Sequence, residues 1–414
     1  MTVLDIIALL IVLAAVFGAL NHFFLHLPST IGVLVIALLA SLAVLGLDAL
    51  FPQWGMGEEA RRLVADLEFS AALLEGVLGL LLFAGALHVR LEDLRAQKWV
   101  IALTATIGVL IATAVVGTGF WLAAGVPLMV ALVFGALIAP TDPVAVLGIF
   151  KNVSAPPTLQ TKIAGESLFN DGVGYVVFLI LAGIAFPAGH MEEMSAGRIA
   201  GLFLLEAGGG AALGVAAGWA VFAVMKRIDD YALEVLLTLA LAMGVYALAG
   251  ALHMSGPIAA VVAGLLIGNA GVKHAMSAET RDHVDAFWRL IDEILNAVLF
   301  LVIGLEVFAI SWNGNIAGLG AAAIGLVLLG RLLAVTIPIT ALRRIRTFSP
   351  GVIPIMTWGG LKGGISVALV LSLPDSEWKP LLVSVTYIVV VFSILVQGLT
   401  IGRVVRRFAK AAEG

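Results

Sequence analysis

The chain has no cysteine, which excludes disulfides, iron–sulfur clusters and thiolate metal sites. Charge is scarce too: Asp, Glu, Lys and Arg make up 12% of the residues, about half the usual share in soluble domains. That scarcity excludes an ordinary water-soluble globular domain, and the formal net charge of −4 gives no reason to expect a nucleic-acid partner. The seven histidines are scattered and show no His-Glu-x-x-His or similar ligand spacing, so they are expected at the surface. The amino end has Asp5 where a secretory signal would be basic, and no small-residue cleavage site, so a cleaved signal is not expected. No soluble domain is expected either, only a short cytoplasmic tail at 403–414.

What the chain has is apolar length. Hydrophobic residues make up 61%, and the mean hydropathy is +1.12. Runs of about 20 apolar residues, each enough to cross a ~30 Å hydrocarbon core, recur from end to end. The pattern predicts an all-α polytopic membrane protein with about 13 transmembrane helices. They fall at roughly 3–25, 29–47, 69–89, 99–122, 128–150, 160–186, 197–225, 231–252, 256–268, 287–310, 315–342, 352–373 and 380–402. Seventeen Lys and Arg, from Arg90 to Lys410, fall in one set of loops, against Arg61, Arg62, Arg198 and Lys379 in the other. The excess marks the cytoplasmic side, which places the amino terminus outside and the carboxyl terminus inside. Arg331 and Lys362 belong to neither set, because both fall within spans.

The run Gly165-Glu166-Ser167-Leu168-Phe169-Asn170-Asp171-Gly172 leads directly into the apolar stretch 173–185. A charged side chain at mid-bilayer costs roughly 2.5–3.5 kcal/mol on insertion scales, so such residues point to an ion pathway or a proton relay. At helical spacing Glu166 and Asn170, with Ser167 and Asp171 beside them, share one face. A second cluster, Ala139-Pro140-Thr141-Asp142-Pro143, sits in the middle of its span, and its prolines predict an interrupted helix. Gly359-Gly360-Leu361-Lys362-Gly363-Gly364 is a matching weak point in the span 352–373. Broken backbone at membrane depth is tolerated only where it is buried in protein or lines a cavity. Interrupted spans at equivalent places in two halves point to a transporter with its site at the midplane. The expected organisation is one membrane domain, 1–402, built of two inverted six-helix repeats with broken crossing helices. The first repeat is about 1–186, the linker helix about 197–225, and the second repeat about 231–402.

Three motifs, Thr141-Asp142-Pro143, Gly165-Glu166-Ser167-x-x-Asn170-Asp171-Gly172 and Gly359-Gly360-Leu361-Lys362-Gly363, occur in one order across the chain. In these the chain resembles the monovalent cation:proton antiporter-1 family, the NhaP/NHE type. The resemblance implies that cation and proton compete for Asp171, and that Ser167 and the Thr141 backbone help ligate Na⁺ or Li⁺ with Asp142 nearby. It implies an electroneutral branch, marked by Asn170, and a homodimer in the plasma membrane of a bacterium or archaeon. It also implies that Glu166 pairs with Arg331 and Asp142 with Lys362. Two departures stand out. Lys362 holds a place where most relatives carry Arg, and Ala84 one where many bacterial relatives carry an acid.

The chemistry is coherent without the family. Na⁺ takes oxygen ligands, and burial disfavours the charged form of a lone carboxyl, so such a group holds either a proton or a metal ion. No resident cofactor is expected. The remaining alternatives are K⁺/H⁺ exchange, a cation channel, an intramembrane aspartyl protease, or a purely structural network at 166–171. The protease lacks a Gly-x-Gly-Asp signature and the channel a repeated filter. Gly210, Gly214 and Gly218 read as helix packing. Glu206, Glu234, Asp292, Glu293 and Glu306 are expected mostly at the membrane interface, with Asp292 and Glu293 as candidates for a cytoplasmic funnel.

Overall fold

The computed structural model describes residues 3–60, 71–150, 156–186, 201, 204–309 and 314–410. Among them the chain is helical, with no strand beyond one isolated antiparallel bridge. Helices α1 (Val3–Leu20) and α2 (Ser29–Leu50) are followed by α3 (Ala71–Leu87), α4 (Leu91–Ala105) and α5 (Ile107–Ala124). Two short helices, α6 (Leu128–Leu137) and α7 (Val144–Phe150), come next, and then the long α8 (Pro157–Ala185). In the second half lie α9 (Gly209–Met225), α10 (Tyr231–Ala251), α11 (Gly256–Leu266), α12 (Ala278–Leu305) and α13 (Gly314–Leu342). The short pair α14 (Val352–Trp358) and α15 (Gly364–Leu371) precedes α16 (Lys379–Phe392) and α17 (Leu399–Lys410).

Nine helical runs among the described residues are long and apolar enough to cross a membrane. The other predicted spans fall short of that measure for identifiable reasons. Spans 128–150 and 352–373 are broken into half-helices, and α3 is described only from Ala71. The fourth, α12, begins nine residues earlier than hydropathy suggests, because Ser277 caps it by accepting the Thr280 N–H at 3.2 Å. Its first half carries Glu279, Arg281, Asp282, Asp285 and Arg289, which hide it from an apolar pattern. The predicted span 99–122 is two helices, parted at Thr106 (φ −110°, ψ −75°) and beginning at Leu91. Arg61, Arg62, Lys151 and Arg198 of the loop count, and the starts of spans 69–89 and 197–225, lie outside the described residues.

Buried side chains gather in two main cores. One joins α5, α6, α7 and α13 to α14–α17, with Phe120, Phe134, Val335, Met356 and Val390 in contact through it. The other joins α3 to α10, α11 and the first half of α12 around Phe83, Trp288 and Ala263. Helix α8 lies between them: Leu159, Ile163 and Phe178 belong to the first core and Leu168 to the second. The outer faces are apolar, with Leu4, Leu122, Trp219, Leu236 and Met243 exposed. In water such faces would aggregate, and in a bilayer they meet lipid. Gly210 and Gly214 pack α9 onto the chain at 255–262: a Cβ on Gly214 would stand 2.5 Å from the Ala259 carbonyl oxygen.

Candidate functional site

The interruption between α6 and α7 follows from its sequence. The Ala139 carbonyl would be bonded by residue 143 in a continuous helix, but Pro143 has no N–H. The Pro140 carbonyl would be bonded by Val144, but that N–H donates to Asp142 Oδ1 at 2.8 Å. Two buried carbonyls are therefore left to other donors, and Lys362 provides them. Its Nζ lies 2.9 Å from Ala139 O and 3.1 Å from Pro140 O. The backbone N–H of Asp142 donates to Leu361 O at 2.8 Å, so the two breaks touch in the single antiparallel bridge of the chain's described part.

Partners of the same kind hold the second break. Arg331, on α13, donates from Nε (3.2 Å) and Nη2 (3.0 Å) to the Met356 carbonyl near the end of α14. The same guanidinium grips Glu166 bidentately, Nη1 to Oε1 and Nη2 to Oε2, the latter at 2.9 Å. Gln397 Nε2 bonds the Trp358 carbonyl at 3.1 Å. Ser393 Oγ accepts the Lys362 N–H at 2.9 Å and donates to Gln397 Oε1 at 2.7 Å. The glycines here allow close approach: a Cβ on Gly360 would lie 2.8 Å from Arg331 Cζ, and one on Gly363 would lie 2.8 Å from Asp142 Cγ.

Against the first break lies one face of α8. The Asn170 side chain clasps Thr141 twice: its Oδ1 accepts the Thr141 N–H at 3.3 Å, and its Nδ2 donates to Thr141 Oγ1 at 2.9 Å. Thr141 Oγ1 is also 3.0 Å from Ser167 Oγ. Beside them Asp171 is buried, and its Oδ1 has no hydrogen-bond partner among the described residues. Glu166, Ser167, Asn170, Asp171, Thr141, Arg331 and Lys362 are all at most 6% exposed, while Asp142 is only partly buried. Taking a carboxylate out of water with one oxygen unmatched is expensive. Of the buried carboxyls on α8, then, Glu166 is neutralised by Arg331, and Asp171 keeps one oxygen that no described residue matches.

The eight residues expected to form the site are thus brought together at the crossing of the two breaks. One expected pairing differs: the Lys362 ammonium is bonded to the carbonyls of Ala139 and Pro140, and Asp142 is occupied with Val144. Both carbonyls have lost their helical donors, to Pro143 and to the Val144–Asp142 bond, and the ammonium takes those donors' place. Ser393 and Gln397 were not singled out from the sequence, although a polar pair four residues apart inside the apolar span 380–402 is a visible signal. Glu234 and Glu306, expected at the interface, are buried: Glu234 accepts from Thr280 Oγ1 at 3.2 Å. Glu293 is exposed and Asp292 half-buried. Ala84, where an acid was expected from the resemblance, is fully buried. Among the described residues no group of three or more His, Cys, Asp or Glu is placed to hold a resident metal ion.

Comparison with known proteins gives a consistent picture. Residues 8–407 match the family described as sodium/hydrogen exchanger, transmembrane. The chain is 50% identical, over 98% of its length and 96% of the relative's, to the Na(+)/H(+) antiporter NhaP of Pseudomonas aeruginosa. It is 37% identical to the Na(+)/H(+) antiporter NhaH of Halobacillus dabanensis, over 84% of this chain and 86% of that one. In fold it is similar to the sodium proton antiporter MjNhaP1 from Methanocaldococcus jannaschii, with a TM-score of 0.75, 97% of each chain covered and 20% identity.

Proposed function

The chain belongs to the sodium/hydrogen exchanger family, and on that premise we propose that it exchanges Na⁺ or Li⁺ for H⁺ across the membrane by alternating access, with cation and proton competing for Asp171. The observation that carries this reading is the buried Asp171 Oδ1, which has no hydrogen-bond partner among the described residues, beside the hydroxyls of Thr141 and Ser167. A hard monovalent cation would take its oxygens from Asp171, Ser167 and the Thr141 backbone, and a proton would neutralise the same carboxylate. If only the occupied, neutralised site crosses between the two sides, exchange follows without further coupling. Asn170 adds no second charge, which supports an electroneutral cycle, and no resident cofactor is required.

The relatives' names specify sodium, which favours Na⁺ over K⁺ as the cation here. The helical runs make this a multi-pass membrane protein. The loop charges support an amino terminus outside and a carboxyl terminus in the cytoplasm, and the resemblance supports a homodimer in the plasma membrane. The test is dissipation of an imposed pH gradient in proteoliposomes on adding Na⁺, Li⁺ or K⁺, with and without a voltage clamp. Na⁺- and Li⁺-driven proton flux that is indifferent to voltage is the expected result. Cation-driven flux surviving in Asp171→Asn would overturn the single-carboxylate scheme.

A further inference from the structure

Helices α4 and α8 and the loop after α13 line an open cavity of about 650 Å³ at the membrane face that carries the basic loops. Every charged residue in its lining is a cation: Lys162, Arg343, Arg344 and Arg346. None of the four has an ion-pair partner among the described residues. Lys162 is 4% exposed, and its ammonium sits 5.3 Å from the centre of the Phe348 ring. Arg346 spends one of its five N–H groups on the Ala96 carbonyl, at 2.7 Å. Between the arginines Ile345 projects with 73% of its surface exposed, an apolar tip on a basic loop.

A buried ammonium without an anion is costly, and three guanidinium groups around the same cavity add repulsion. Such a grouping is stable when an anion completes it. Arginine forks match the oxygens of a phosphate bidentately, and a lysine adds a point charge. We infer that this cavity is a binding site for a phosphate-bearing anion, seated on Lys162 and clasped by Arg343, Arg344 and Arg346. The phosphate of an anionic lipid headgroup and free phosphate share that chemistry. The exposed Ile345 beside the cavity suits the first source, since basic pockets at the cytoplasmic ends of membrane helices receive lipid headgroups.

The experiment follows thermal unfolding of the purified protein in neutral detergent at fixed ionic strength. It titrates dioctanoyl phosphatidylglycerol, dioctanoyl phosphatidylcholine and inorganic phosphate in separate arms. The expected result is saturable stabilisation by phosphatidylglycerol and none by phosphatidylcholine. The R343Q/R344Q variant, whose substitutions fall on exposed side chains, should weaken the apparent affinity about thirtyfold. K226Q/R227Q, the same charge change elsewhere, should leave it unaltered. If inorganic phosphate protects equally and with the same sensitivity to R343Q/R344Q, the site stands and its ligand is a soluble anion. No saturable protection by either anion, or protection that R343Q/R344Q leaves intact, overturns the assignment.

Discussion

At the scale of single residues the proposed site divides into Asp171 with its neighbouring hydroxyls and the groups that hold the broken helices, Glu166, Arg331 and Lys362. Asp171→Asn keeps the shape and removes the charge, so exchange should vanish while the protein elutes as the same folded species in size-exclusion chromatography. Glu166 and Arg331 form a buried bidentate pair. Removing either partner strands the other charge, and Glu166→Gln or Arg331→Ala should each cost about 3–5 kcal/mol of stability. The double variant should recover part of that loss in a thermal-unfolding cycle, because no lone charge remains; strictly additive losses would show that the two residues act separately. Lys362→Met leaves the Ala139 and Pro140 carbonyls without donors and should destabilise by about 1–3 kcal/mol for each. Lys362→Arg restores two donors and a fixed charge, and should stay active with an unchanged proton-to-cation ratio, read from reversal of transport under imposed gradients. A changed ratio would make Lys362 a proton carrier as well as a cap.

At the scale of elements the decisive feature is the crossing of α6/α7 with α14/α15. Gly360→Ala places a methyl group against the Arg331 guanidinium, so it should disturb the Glu166 pair and lower the unfolding temperature, whereas Gly85→Ala, with open space around it, should change little. Both breaks were legible in the sequence because their causes are local: Pro140 and Pro143 in one, four glycines in the other. Their partners were less legible. Nothing near Lys362 in the chain says that its ammonium turns to carbonyls 223 and 222 residues away in preference to Asp142, since that choice depends on which acceptors the fold leaves unbonded. The break at Thr106 carries no proline, and its nearest glycine, Gly108, already belongs to the helix that follows. The π-helical turns at Asn21–Leu25, Leu204–Gly208, Ile267–Gly271 and Ser393–Gly398 are one-residue insertions into regular helix that hydrophobic spacing does not register. Glu166, Ser167, Asn170 and Asp171 were readable as one face because helical periodicity alone brings them together.

At the scale of the whole molecule two cores flank α8, and the helix bearing Asp171 touches both. If one carboxylate serves both ions, raising the proton concentration should raise the apparent KM for Na⁺ and leave the maximal rate at saturating Na⁺ unaltered, measured as initial rates at several pH values. A fall in maximal rate with an unchanged KM would refute competition at a single site. The bond from Lys362 to Pro140 also has a consequence for biosynthesis. The two residues are 222 positions apart, and at about 5–20 residues per second the ribosome needs roughly 10–45 s to travel between them. For that interval the first interrupted helix has been made and its two open carbonyls have no ammonium to meet. Until the second half is synthesised, those two carbonyls have to find water or another donor in place of Lys362. The crossing of the two breaks is among the last parts of the protein to close.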